Sequence, residues 1–274
     1  MADPTASDHE FVGSVPELYE RLLVPLIFEA HADDLVRRVA ARHPTRVLEV
    51  AAGTGVVTRR LAAALPDTVE IVATDLNAPM LDHAAAIGTQ REVTWQPADV
   101  YELPFDDDSF DVVACQFGVM FFPDKAAAYR EVGRVLRPGG AFVFNVWDDI
   151  ANNEFADEVT KAMAGLWPDD PPRFLPRTPH GYWDEATIRT DVAAGGFGGA
   201  VDYTTVDARA RAASPDIPAT AYCQGTPLRG EIEQRDPEGL VGASRVAAAA
   251  VQARFGSENL DSLVRGFVVE AVAG

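Results

Sequence analysis

Between residues 46 and 147 the apolar positions follow two periods in turn. Runs at 46–50, 70–75, 93–96, 110–116 and 141–147 have strand length and are rich in Val, Ile and Phe. Between them, 56–65, a stretch from Pro79 and 124–136 place apolar residues at helical intervals, and Arg137 to Gly140 reads as a tight turn. Strand and helix alternating at this spacing predict βαβ units, hence an α/β fold on a largely parallel sheet buried on both faces. Upstream, Ser14 and Glu17 fit a capping box for a helix starting at Val15 or Pro16, which Pro25 should kink or end, and a second helix runs 34–42. Downstream, 153–166 is helical and the proline-rich 167–183 predicts a loop, since prolines remove backbone donors. Asp184 should cap a helix to Ala194, with a strand at 201–206, helices at 218–224, 228–234 and 237–255, and a final strand at 263–272.

The sharpest break in this alternation is RVLEVAAGTG, residues 46–55. Gly53 and Gly55 lack Cβ, so the backbone can turn after the strand and lie close to a ligand, while the helix opening near Val56 aims its free N–H groups there. Alanine prefers an ordinary negative φ, so at Ala51 the chain should be extended or helical and the two glycines should carry the turn. Asp75, closing the next strand, is placed to accept hydrogen bonds from two ribose hydroxyls; a helix cap is the other reading. Leu76 and Met80 would then flank an adenine, unless both are core. A dinucleotide fingerprint needs glycine where Thr58 stands, and Glu49, just before the turn, would repel a diphosphate but attract a cationic amino-acid group. S-adenosylmethionine carries such a cation, which makes an NAD-dependent oxidoreductase the remote alternative.

Four stretches, LEVAAGTG, ATDLNAPML, PADVYELPFDDDSFDVV and RVLRPGGAFVF, resemble in order and spacing the motifs of class I S-adenosylmethionine-dependent methyltransferases, over roughly residues 16–147. Within that family the likeness is to small-molecule enzymes of the ubiquinone and menaquinone C-methyltransferase type. The resemblance implies a Rossmann-like, doubly wound sheet of seven strands, the last antiparallel and inserted between the fifth and sixth. The length suits one domain over 1–274, with N-terminal helices at 15–45, a cofactor-binding core at 46–147 and a rim insertion at 148–183; where the family reaches its last strand by a short hairpin, some fifty residues are inserted here, which predicts a helical lid at 208–257. By the same likeness Asp99 would accept the adenine amino group, with a plain Asx-turn as its rival, and the Val100 N–H would serve a ring nitrogen. Gln116 and Phe117 would contact the methionine part, and Tyr19 would close over the cofactor. The implied reaction is methyl transfer to oxygen or carbon of a small-molecule acceptor, leaving S-adenosylhomocysteine. A protein that binds the cofactor without transferring methyl is the alternative, because alignment of nucleophile, carbon and sulfur demands no diagnostic residue.

A formal net charge of -19 opposes binding to a phosphate backbone, so nucleic acid is not the expected partner. No basic-then-apolar leader and no membrane-length apolar run is present in the sequence, and the expectation is a cytoplasmic protein. Cys115 and Cys223 offer no disulfide framework, and no His, Cys and carboxylate cluster has metal-ligand spacing. Of the histidines, His9, His43 and His83 are poorly placed for catalysis. His31 follows the first helix, and His180, in TPHGYW, is the preferred candidate general base, against the reading that it stabilises its loop. Phe121, Tyr182 and Tyr222 are the candidate substrate contacts; Phe121 and Phe122 on a strand would face opposite sides, so one of them should be core.

Overall fold

The computed structural model describes residues 15–274. In chain order the elements are α1 (Val15–Leu18), a π-helical stretch (Tyr19–Phe28), α2 (Glu29–Ala41), β1 (Arg46–Glu49), α3 (Val56–Ala64), β2 (Glu70–Asp75), α4 (Ala78–Ile87), β3 (Thr94–Pro97), β4 (Phe110–Gln116), α5 (Lys125–Val135), β5 (Leu136–Trp147), α6 (Glu154–Leu166), α7 (Phe174–Arg177), α8 (Glu185–Ala194), β6 (Val201–Ala212), α9 (Asp216–Gln224), α10 (Leu228–Arg235), α11 (Leu240–Phe255) and β7 (Leu260–Val272). Short 3-10 turns at Val119–Phe121 and Ile150–Asn152 complete the helical segments.

The seven strands form one sheet in the order β3-β2-β1-β4-β5-β7-β6. The pairs β1–β2, β1–β4, β2–β3 and β4–β5 are parallel. The last strand is antiparallel: Gly139 of β5 donates to the Ala273 carbonyl while Asp148, just after β5, donates to the Arg265 carbonyl, so the partner number falls as the residue number rises. This is the doubly wound arrangement with the seventh strand between the fifth and sixth, as the resemblance implied.

Two compact units emerge from the contacts within the chain. One comprises residues 30–146, 182–206 and 266–274. Its core is aromatic around β5: Phe142 and Phe144, two apart and so on one face, have ring centroids 4.6 Å apart, and Tyr129 of α5 meets both. The other comprises residues 15–29, 147–181 and 207–265. There α11 packs on α9 and α6, and α9 packs on the π-helical stretch.

Most element boundaries follow the sequence pattern, and the departures have local causes. Ser14 of the expected capping box lies outside the described residues. Pro25 neither ends nor separates the first helices; the chain widens into a π-helix, in which the Glu29 N–H reaches the Val24 carbonyl five residues back, so the missing proline donor is absorbed. Arg137 to Gly140 belong to β5 instead of a separate turn: Gly139, at φ 78°, and Gly140 exchange hydrogen bonds with Ala273, and the register on β4 shifts between Phe110 and Val112. β6 runs six residues beyond the expected Val206, to Ala212, where Arg209 pairs with Asp261 of β7. The proline-rich stretch holds one helical turn, α7, because the Glu231 carboxylate from α10 accepts the Arg173 and Phe174 N–H groups and the Arg177 guanidinium.

Where β1 and β4 begin, Asp111 ties two strands together. Its carboxylate accepts from the Thr45 and Arg46 N–H groups, the Thr45 hydroxyl and the Arg137 guanidinium. Burial acts to raise its pKa, but these donors outweigh it and hold the group at about 2. A folded value below the ordinary one adds stability that is complete above about pH 4 and fades as pH falls towards 2. Asp111→Asn should therefore cost about 1–2 kcal/mol at neutral pH. Urea midpoints of the variant and wild type should differ equally at pH 7 and pH 5 and converge below pH 3; a constant gap at all pH values would refute the assignment.

Candidate functional site

Strand order reverses between β1 and β4, the position at whose carboxyl ends open α/β sheets hold ligands. The segments leaving β1, β2 and β4 there carry most of the residues singled out from sequence. After β1 the chain makes a turn with positive φ at alternate residues: Ala51 54°, Gly53 56° and Gly55 81°. The expectation of a negative φ at Ala51 was therefore wrong. The Val50 N–H is drawn to Ala114 of β4 and the Ala52 N–H to Thr74 of β2, and spanning both neighbours forces the intervening residue into the left-handed region. Gly55 has a second reason to lack a side chain, since a Cβ would lie 2.9 Å from Cη2 of Trp95 on β3.

Asp75 closes this turn from β2. One oxygen accepts the Gly53 N–H at 2.8 Å and the other the Asn77 N–H at 2.7 Å. It does not cap α4 itself, whose N-cap is Asn77. Glu49 is 2% exposed, and the Thr58 hydroxyl donates to it at 2.6 Å. Desolvation lifts its pKa to about 8; Thr58 opposes this, nearby Asp75 adds to it, and Arg59 opposes it. Burial likewise raises the pKa of Asp75, against the donated backbone hydrogen bonds. Two carboxylates are thus removed from water beside one turn, an environment that favours a cationic ligand.

Leu76 is 62% exposed, whereas Met80 is buried beneath Gly53. Asp99 is exposed and accepts the Tyr101 N–H, the Asx-turn that rivalled its adenine role; Val100 beside it is half-buried. At the end of β4, Gln116 is half-buried and its side-chain carbonyl faces the Asn145 amide at 3.4 Å. Phe117 is buried at φ 51°, its N–H held by the Asn145 carbonyl and side chain, and its ring meets the His31 ring edge-on at 5.2 Å. His31 is wholly buried.

The remaining candidates stand differently. Phe121 and Phe122 lie on and just after a 3-10 turn, so the alternating-strand argument about them does not apply; Phe121 is half-buried and Phe122 buried. The Tyr182 hydroxyl donates to Asp191 and receives one from Tyr129, and its ring lies 4.5 Å from the Lys125 ammonium. Tyr19 stacks on Phe28 at 5.0 Å, and Tyr222 is buried on α9. His180 is 6% exposed with Nδ1 on the Asp148 carbonyl at 2.9 Å, so that nitrogen carries the proton; burial lowers its pKa to about 4. Both cysteines are buried thiols, and among the described residues no group of His, Cys, Asp and Glu is placed to hold a metal ion. No helix among them is long and apolar enough to cross a membrane.

Sequence reasoning missed three residues that shape the site: Thr58 as partner of Glu49, Trp95 beneath Gly55, and Asn145 as anchor of Phe117. Asn145 left a signal, a lone amide in the apolar run AFVFNVW, fully buried where an unpaired amide would be costly.

A methyltransferase domain model matches residues 48–144, the segment that contains this turn and the end of β4. Residues 48–144 belong to the methyltransferase-domain family. S-adenosylmethionine is accordingly the cofactor to set against this turn. The chain is 31% identical over 170 residues to a ubiquinone/menaquinone biosynthesis C-methyltransferase, UbiE, of Stutzerimonas stutzeri. That alignment covers 57% of this chain and 66% of the relative. Among solved structures, a Haemonchus contortus phosphoethanolamine N-methyltransferase in complex with S-adenosylhomocysteine superposes with a TM-score of 0.58 at 16% identity, covering 97% of this chain and 59% of that one. The [4+2]-cyclase SpnF superposes at 0.53 and 16% identity, covering 89% and 80%. At such identities the two structures speak for the shared fold.

The residues present fit that cofactor. Turns at Gly53 and Gly55 leave the backbone bare, Asp75 keeps lone pairs beyond those already engaged, Leu76 offers an exposed apolar face, and Glu49 supplies a buried carboxyl that a cation beside it would ionise. Gly55→Ala tests the turn: a positive φ and the overlap with Trp95 together should destabilise by about 2–4 kcal/mol, read from urea unfolding. An unaltered midpoint would show that the turn tolerates a side chain.

Proposed function

We propose that this chain transfers the methyl group of S-adenosylmethionine to oxygen or carbon of a small-molecule acceptor. The observation that carries the reading is the meeting of Glu49, Gly53, Gly55 and Asp75 at the switch point of a methyltransferase-domain segment. In this reading Asp75 holds the ribose hydroxyls, Leu76 and Met80 adjoin the adenine with Asp99 and Val100 on its edge, and Glu49 meets the ammonium group. Ala51, Gln116 and Phe117 adjoin the methionine part. The cofactor brings its own electrophilic methyl group, so the chain's task is alignment and exclusion of water, worth on the order of 7–11 kcal/mol when a near-attack geometry is held.

Phe121 and Tyr182 are the candidate acceptor contacts. The relative's name supports an aromatic ring that becomes a quinone, methylated at carbon. His180 agrees with that choice: at a pKa of about 4 it is a weak base, better suited to holding its loop than to deprotonating an alcohol, and an enolised carbon needs no strong base. A second reading, cofactor binding without methyl transfer, draws on the cyclase that shares this fold. Calorimetric titration with S-adenosylhomocysteine, with NAD as control, tests the donor site. Incubation with S-adenosylmethionine and phenols, quinols or enols then separates the two readings, since only methyl transfer gives methylated product with equal S-adenosylhomocysteine.

Asp75→Ala should weaken S-adenosylhomocysteine binding by about 1–3 kcal/mol, because ribose hydroxyls would lose a buried acceptor. Unchanged affinity would remove Asp75 from the site. Glu49 should make binding proton-linked. Its folded value lies above the ordinary carboxylate range, so at pH 7 it is mostly protonated, and a ligand ammonium beside it favours the carboxylate. Binding should release up to about one proton at pH 7, and affinity should rise from pH 5 to 8. Calorimetry in two buffers of different ionisation enthalpy measures the release; equal apparent enthalpies in both would contradict it.

A further inference from the structure

We infer that Ala51 is a positioning residue of the donor site: its methyl group is the spacer that sets the distance between the turn after β1 and the end of β4. The inference rests on the cofactor reading above. Ala51 occupies the left-handed region at φ 54°, which glycine would enter more readily, so backbone conformation alone does not call for alanine. What the methyl group does is visible at Gly118. A Cβ built there would lie 2.5 Å from the Ala51 Cβ and 2.8 Å from Cys115 Sγ, so the bare backbone of residue 118 rests on the alanine methyl. From the other side the same segment is held by Asn145, which takes the Phe117 N–H, and by His31, edge-on to the Phe117 ring. The end of β4 is thus clamped between Asn145 and His31 on one side and Ala51 on the other. Ribose-side groups, Gly53 and Asp75, belong to the β1 and β2 ends, and methionine-side groups, Gln116 and Phe117, to the β4 end. One ligand spanning both senses their separation directly, and a gap one methyl wide changes it.

Ala51→Gly relieves the left-handed strain and opens that gap, two effects with opposite readouts. The variant should melt no lower than wild type yet bind S-adenosylhomocysteine roughly tenfold more weakly. Gly118→Ala should lose both stability and affinity through overlap. In the double variant, Ala51→Gly with Gly118→Ala, the new Cβ would lie 3.9 Å from the Cα of residue 51, an ordinary contact, leaving Cys115 Sγ to shift, so the spacer is returned from the opposite side and affinity should recover towards wild type. Rescue by moving the methyl across the gap is not expected of a residue that serves only stability. Wild-type affinity in Ala51→Gly overturns the inference alone, as does a loss of affinity accompanied by a lower melting temperature without rescue. Absence of S-adenosylhomocysteine binding by the wild-type chain overturns the donor reading and the inference with it.

Discussion

Removing Glu49 and Asp75 from water at the ends of neighbouring strands is the constraint on which the site depends. Burying a carboxylate is costly unless it gains partners, and the chain supplies only some. Asp75 has backbone N–H groups of Gly53 and Asn77 and the Asn77 side-chain amide, while Glu49 has the Thr58 hydroxyl, a neutral donor, with Arg59 acting at longer range. A guanidinium in place of Thr58 would complete an ion pair and make the site indifferent to a cation. The hydroxyl leaves Glu49 able to be neutral in the free protein and charged beside a positive ligand. Part of the attraction for such a ligand is therefore stored as the desolvation cost of two acids.

The backbone serves the same constraint. Tight turns after β1 and β4 bring residue 118 against Ala51, and five residues between 51 and 118 shape those turns: Ala51, Gly53, Gly55 and Phe117 with positive φ, and Gly118 without a side chain. Non-glycine residues in the left-handed region persist only where their surroundings over-determine them. At Ala51 the determination comes from β2 and β4, and at Phe117 from Asn145 and His31. Strain at both is carried by the sheet, whose buried β1 and β4 interior makes it rigid enough to hold it.

What could be read from sequence was what neighbours in sequence decide. Strands 70–75 and 110–116 and the helix capped by Asp184 follow from apolar period and cap chemistry, and they stand where expected. The glycine turn and Asp75 were legible for the same reason, being twenty residues apart in a βαβ unit. The failures share a different cause. Ala51 turns left-handed because of bonds to Ala114 and Thr74, Gly139 and Gly140 join a strand because Ala273 arrives from the far end of the chain, and β6 extends because β7 does. Thr58 read as a missing glycine, and only the fold shows it reaching Glu49. No local pattern encodes a partner chosen by topology.

That division bears on function as well. The turn after β1, Asp75 and the end of β4 lie within 48–144, where periodicity and turn chemistry made them readable and where the family match falls. The remaining chain includes a six-residue extension of β6, a stapled proline-rich segment and three helices before β7, all set by long-range contacts. Methyl transfer places few chemical demands on the protein beyond alignment, and a cyclase with the same fold shows that the scaffold accommodates another reaction. The fold alone therefore does not choose the reaction. His180 illustrates the point: buried, with Nδ1 on the Asp148 carbonyl and a pKa lowered to about 4, it is held as a structural group of its loop and is a weak base.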